Sequence, residues 1–171
     1  MANTGFRDLL EEALEGWEGV RNGFIEEAEN IPEAEWDRIP ADGSRAVRGL
    51  VEHILESSCL MKELLRNDGD FRRSPYPELL AEHTGDLERG GSKAELLSSL
   101  RETHRKMDAA FREKGELHML QMIRRFDGLQ GTRLAWFHHG VAHEYYHCGQ
   151  LALLARLRGH VPALTRRILG G

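Results

Sequence analysis

Cysteine is scarce in this chain and long apolar runs are missing. Its two cysteines, Cys59 and Cys148, form no C-x-x-C pair, which excludes a disulfide framework and fits a reducing compartment, the cytoplasm. No stretch of about 18 or more uncharged apolar residues occurs, so no membrane-spanning helix is expected. The first ten residues carry Asp8 and lack a basic segment leading into an apolar core, so no secretory signal is expected. Alternating apolar and polar runs are scarce, which disfavours a sheet-built fold. Acids are absent from residues 145–171, which hold Arg156, Arg158, Arg166 and Arg167, whereas residues 1–42 hold twelve acids against Arg7, Arg21 and Arg38. A net charge of −5 disfavours nucleic acid as a partner. The late arginines suit the carbonyl end of a helix; the other reading is a basic rim facing an anionic small molecule.

What is present is helical periodicity. A chain of 171 residues is expected to form one domain, residues 1–171, with a core of its own. Phe6, Leu9, Leu10, Ala13, Trp17, Val20, Phe24 and Ala28 form one stripe over residues 5–29, ended by Ile31-Pro32. A second helix is expected over 44–66, with Leu50, Val51, Ile54, Leu55 and Ser58 inward and a turn at Asn67-Asp68-Gly69-Asp70. An irregular excursion follows to Gly91, with one short helix near 78–83. Ser92 and Glu95 form a capping box that opens a third helix, closed by Gly115. Residues 116–131 read either as a short helix or as an extended run. Thr132 caps a fourth helix that runs to about Arg158, with Gly159 beyond its end. That helix is apolar on most of its circumference and is expected to be buried, with Gly140 and Gly149 admitting a neighbouring backbone. Four long helices without a clear strand predict an all-α, up-down four-helix bundle.

The chemistry sits on the fourth helix. His139, His143 and His147 repeat at i, i+4, i+8. Neighbouring rungs stand about 5–6 Å apart at Cβ and can share a metal ion. The outer two lie about 12 Å apart along the axis, so one ion takes one adjacent pair and a third ligand comes from elsewhere. His143-Glu144-Tyr145-Tyr146-His147 is also the H-E-x-x-H motif of zinc proteases. Those enzymes take a third ligand downstream, yet no acid follows Glu144, and Gln150 and Leu153 replace the Gly and His of the extended motif. The third ligand is therefore expected upstream: His53, beside the stripe of the second helix, with His104 on the third as its rival.

His53 within Leu50-Val51-Glu52-His53-Ile54-Leu55, the run His139-x-x-x-His143-x-x-x-His147-x-Gly149-Gln150-Leu151, and the helix order together resemble the DinB/YfiT-like metal-binding bundles. The resemblance spans nearly the whole chain. It implies a four-helix bundle, often a homodimer, with a divalent transition metal (Zn or Ni foremost) held by His53, His143 and His147. His139 then lies one turn away as pocket lining or support. Cys148 stands where the family often has Arg, and is read as a packing residue, as is Cys59. Three neutral imidazoles leave the ion its full charge and open positions, a catalytic arrangement. The resemblance implies a transferase that uses a low-molecular-weight thiol (bacillithiol, mycothiol or glutathione) on a small-molecule substrate. The alternatives are a hydrolase with metal-bound hydroxide, for which Glu144 is a candidate base, and a non-catalytic protein in which the ion staples two helices. Gln150 is placed to bond an imidazole or substrate. Tyr145 and Tyr146 are read as packing residues.

Overall fold

The computed structural model describes residues 5, 7–87 and 90–170; Phe6, assigned above to the first stripe, lies outside them. Helices α1 (Leu9–Asn30), α2 (Val47–Leu60), α4 (Lys93–Lys114) and α6 (Arg133–Leu157) form a four-helix bundle. Between them lie α3 (Tyr76–Thr84), α5 (Glu116–Met119) and a hairpin of β1 (Met122–Arg124) and β2 (Gln130–Thr132); α7 (Ala163–Leu169) follows. The expected all-α bundle is present. Helix α1 packs on α6 and α4, and α2 on α4 and α6, so α1 and α2 lie across the bundle from each other.

Local chemistry sets the ends. The Asp8 side chain accepts from Glu11 N at 2.8 Å, which starts α1 at Leu9 rather than near Gly5. The Ser92/Glu95 capping box opens α4, and Gly115 (φ +77°) closes it. Thr132 accepts from Ala135 N at 3.1 Å and starts α6, and Gly159 (φ +82°) lies past its end. The second helix is shorter than expected: after Leu60 the chain tightens into a 3-10 turn over Met61–Leu65. Residues 116–131 combine both expected conformations, α5 followed by the hairpin. Helix α7 was not anticipated; the buried Glu27 carboxylate accepts from Ala163 N at 2.9 Å and Leu164 N at 3.0 Å and anchors it.

The bundle interior has two apolar halves. Phe24, Val47, Leu50, Ile54, Leu97 and Leu151 belong to one. Leu14, Trp17, Leu64, Phe111, Phe137 and Ile123 belong to the other. The sequence places Arg21, Ser58, His104, and His143, Glu144 and His147 between these sets on the four helices, so a polar layer divides the core, and His53 joins it from the edge of the first set. The three candidate ligands, His53, His143 and His147, face this layer.

Helix α6 is less buried than its composition suggests. Tyr145 and Tyr146 are 62% and 64% exposed, and Leu153 and Leu157 are also exposed. The packing role expected for the two tyrosines is therefore not met within this chain. Gly140 approaches the Met61 side chain, and Gly149 meets nothing within 4 Å, so neither admits a neighbouring backbone. Gly69 is the demanding glycine. At φ +49°, an added Cβ would overlap the Arg133 guanidinium and stand 2.5 Å from Ile123 Cγ2. Gly69→Ala is expected to cost about 2 kcal/mol or more through overpacking and strain. Gly149→Ala should be neutral or stabilising by up to about 1 kcal/mol. Denaturant melts of both variants test this; equal effects would remove the steric argument.

Candidate metal centre

The site is built where α2 meets α6. His53 stands on α2 and reaches α6 because Ile54, Leu50 and Val51 bury their side of the helix. His143 Nε2 lies 3.1 Å from His53 Nε2 and 3.1 Å from His147 Nε2. An imidazole Nε2 carries at most one proton, so at most one of these two contacts is a hydrogen bond. On the far side of its ring, His147 Nδ1 donates to Gln150 Oε1 at 2.9 Å, which leaves the His147 Nε2 lone pair facing the other two. Converging ring nitrogens of this kind suit a cation. Bonds of about 2.0–2.1 Å to one ion at tetrahedral angles put neighbouring nitrogens about 3.3 Å apart, close to the spacing seen.

The electrostatics agree. Burial holds all three imidazoles below the usual histidine range, His53 at about 4, and the nearby Arg45 cation pushes each the same way. Neutral imidazole is the form that binds metal. The donor set, three neutral nitrogens in a half-buried layer with no carboxylate among them, fits a borderline transition ion such as zinc or nickel.

The other candidates fall elsewhere. His139 stacks on Trp136, with ring centroids 4.4 Å apart and planes at 10°. His104, the rival ligand, packs edge-on against Trp17 at 4.2 Å, and its Nδ1 is buried without a hydrogen-bond partner. Glu144, the candidate base, has its carboxylate engaged by α1. It points into the bundle, where its carboxylate accepts from Trp17 Nε1 at 3.0 Å and is clasped by Arg21 through Nε and Nη2. Arg21 also donates to Leu100 O at 3.0 Å and Ser58 Oγ at 2.6 Å, so one buried cation ties all four bundle helices together. The sequence reading treated Arg21 as one charge in an acidic segment. The available signal was its position, i+4 from Trp17 and i−3 from Phe24, on the apolar face. Cys59 is buried and Cys148 packs beside the first core cluster; burial raises both thiols, Cys148 to about 12. Two of the late arginines are engaged, Arg158 with Arg38 O and Arg167 with Glu26.

A second group with metal-type side chains, Glu63, Glu82 and His83, is already neutralised. Arg73 bridges Glu63 at 2.7 Å and Glu82 at 2.6 Å, and His83 lies 2.5 Å from Glu63. Burial favours protonation of Glu63, but the hydrogen bonds from Arg73 and His83 outweigh it and hold the carboxyl below its ordinary range. The group ties α3 to the 3-10 turn after α2.

Beside His143 lies a cavity of about 270 Å³. Ser57, Leu60, Met61 and Leu64 form one wall, Phe71, Tyr76 and Phe126 a second, and Trp136, His139, Gly140 and His143 a third. Two segments without clear periodicity create it. The excursion supplies Phe71 and Tyr76, and the hairpin loop supplies Phe126. They are joined by paired backbone bonds, Phe71 N to Arg124 O and Arg124 N to Gly69 O, both 3.0 Å.

Among known proteins, the fold is similar to that of YfiT from Bacillus subtilis, described as a probable metal-dependent hydrolase with an unusual four-helix bundle topology. That match has 18% identity and a TM-score of 0.69 over 94% of this chain and 93% of that one. A DinB-like protein of Bacillus subtilis matches with 23% identity and a TM-score of 0.66 over 88% and 93%. A mycothiol-dependent maleylpyruvate isomerase matches with 15% identity and a TM-score of 0.63, over 83% of this chain and 60% of the isomerase. No curated protein matches the chain. No helix among the described residues is long and apolar enough to cross a membrane. Residues 17–151 match the family model of the DinB superfamily, and with the bundle and its histidine layer in place, the chain belongs to that superfamily.

Proposed function

We propose that this protein is a metal-dependent transferase that joins a low-molecular-weight thiol to a small electrophilic substrate. The observation that carries the reading is the convergence of three neutral histidine nitrogens beside a cavity whose lining contains no carboxylate. His53, His143 and His147 would hold a divalent transition ion, with zinc or nickel the expected occupant. Such an ion supplies positive charge that lowers the pKa of a thiol.

The chain's own residues divide the remaining work. Gln150 fixes the His147 ring and its tautomer. Arg45 and Gln150 share a cleft with Leu153 and Leu157 on the other side of the histidines, and Arg45 offers a cation for the carboxylate of a thiol such as glutathione. The thiol must come from outside, because burial keeps Cys59 and Cys148 protonated. Hydrolysis is the second reading, supported by the description of YfiT. It would rest on the ion alone to ionise water, because the candidate carboxylate, Glu144, is committed to Arg21 and Trp17. A thiol starts with a far lower pKa than water and so asks less of the ion. A purely structural staple leaves the adjacent cavity without a role. The reading takes residues 1–171 as one domain acting in the cytoplasm. It also takes the assembly as a homodimer, supported by the exposed Tyr145 and Tyr146 rings.

The test is consumption of glutathione, bacillithiol or mycothiol with 1-chloro-2,4-dinitrobenzene by zinc- or nickel-loaded protein. At least one thiol should react about 100-fold faster than without protein, and the gain should vanish with chelator. Background rates with every thiol, together with chelator-sensitive hydrolysis of 4-nitrophenyl acetate, would replace transfer by hydrolysis.

A further inference from the structure

The cavity beside His143 has a chemistry of its own. Its wall is an aromatic cluster: Phe71 and Phe126 meet edge-on at 4.8 Å, Tyr76 and Phe126 at 5.6 Å, and Phe71 and Trp136 at 5.9 Å. Trp136 is held by the His139 ring at 4.4 Å and by the Arg125 guanidinium at 5.0 Å from its centroid. No Asp, Glu, Lys or Arg lines the space. An ionised group placed there would lose part of its water and gain no ion pair with the lining. Size narrows the choice. A hydrocarbon-lined cavity of about 150 Å³ accommodates benzene, and this one is about 270 Å³. Gly140 keeps part of that space open, since a Cβ there would stand 3.1 Å from Met61 Sδ.

We infer that this cavity binds an uncharged one- or two-ring aromatic group, or an apolar group of that size, as the body of the electrophilic substrate. The inference rests on the proposed transferase reading for the word substrate, and on the cavity alone for the ligand class. Contacts with the Phe71 and Phe126 rings and with the edge of Trp136 recognise flat rings. Ser57, Tyr76, His139 and His143 supply uncharged polar groups at the wall. The exposed cation Arg45 lines the other cleft and not this cavity.

The experiment is calorimetric titration of chelator-treated protein with 2-naphthol and with 2-naphthoate. Using metal-free protein prevents the carboxylate from acting as a metal ligand. Saturable binding of one 2-naphthol per chain is expected, with 2-naphthoate about 10-fold weaker or more. Gly140→Leu should weaken 2-naphthol about 10-fold by filling the space, and Trp136→Ala about 5-fold or more by removing a wall. Gly149→Leu, on the same helix with nothing within 4 Å, should bind as the wild type does. No saturable 2-naphthol binding, equal binding of 2-naphthoate, or affinity untouched by Trp136→Ala would each overturn the inference. Trp136→Ala and the naphthoate comparison decide the matter if Gly140→Leu fails to fold. Because neither metal nor thiol is present, failure of the transferase reading leaves this result standing, and failure here leaves transfer activity to be judged separately.

Discussion

Replacing His143 by alanine is expected to abolish stoichiometric metal binding while leaving the helical fold in place. Both 3.1 Å nitrogen contacts of the candidate centre converge on His143 Nε2, so its loss removes the nitrogen that the other two ligands face. Changing a residue that only supports a ligand typically weakens metal affinity about 10–100-fold. Removing the shared ligand should exceed that, and Gln150→Ala should fall within it. Elemental analysis should give about one transition-metal ion per chain for the wild type and almost none for His143→Ala. Stability gives a second readout. A metal at about 1,000 times its dissociation constant adds about 4 kcal/mol to the folded state. The wild type should therefore melt lower after chelation, and His143→Ala should melt at the same temperature with or without chelator. Full metal content in His143→Ala would eliminate the His53/His143/His147 assignment. An unchanged helical signal is expected because the ring is half-buried and leaves both apolar core clusters untouched.

The second large effect concerns Arg21 and Glu144. Their side chains are 1% and 4% exposed and bonded through two pairs of atoms, with Trp17, Ser58 and Leu100 O completing the set. Removing one member leaves the other charge buried without its counter-ion, a loss of about 3–5 kcal/mol. Against a typical domain stability of about 5–15 kcal/mol, that is a large fraction. For a chain of this length it corresponds to a drop of about 10 °C in melting temperature. Arg21→Ala and Glu144→Ala should both show it. The double variant Arg21→Met/Glu144→Leu should recover much of the loss, because matched apolar groups avoid the stranded charge. A loss below about 1 kcal/mol in the single variants would mean that water reaches the pair. Glu144→Gln separates structure from chemistry: with the carboxylate turned away from the histidines, the metal content of that variant should equal the wild type's.

This pair also shows why the motif misleads when read as letters. In H-E-x-x-H the glutamate follows the first histidine by one residue, about 100° around the helix. Whether that direction meets substrate or core depends on the helix packed alongside. Here α1 places Trp17 and Arg21 there, 127 and 123 residues away in sequence. The histidine spacing was readable because i, i+4 is a property of one helix. The role of the glutamate was not, because it is a property of two.

The sequence by itself determined the elements whose causes are local. Helical periodicity, the Ser92/Glu95 and Thr132 caps, and the Gly115 and Gly159 stops define the main helices within a few residues. The ladder on α6 and the lone His53 in an apolar helix supplied the candidate ligands. The tertiary structure decided everything that needs distant segments to meet. It brought His53 within 3.1 Å of His143, turned His139 onto Trp136, and set His104 against Trp17. It also made the aromatic cavity from the excursion and the hairpin, whose pairing at Phe71 and Arg124 has no periodic signature. The physical reason is the range of the forces. Backbone hydrogen bonding and capping act over three or four residues and leave a pattern in the letters. Side-chain convergence is fixed by packing between helices and by loop closure, and appears only when the chain is folded.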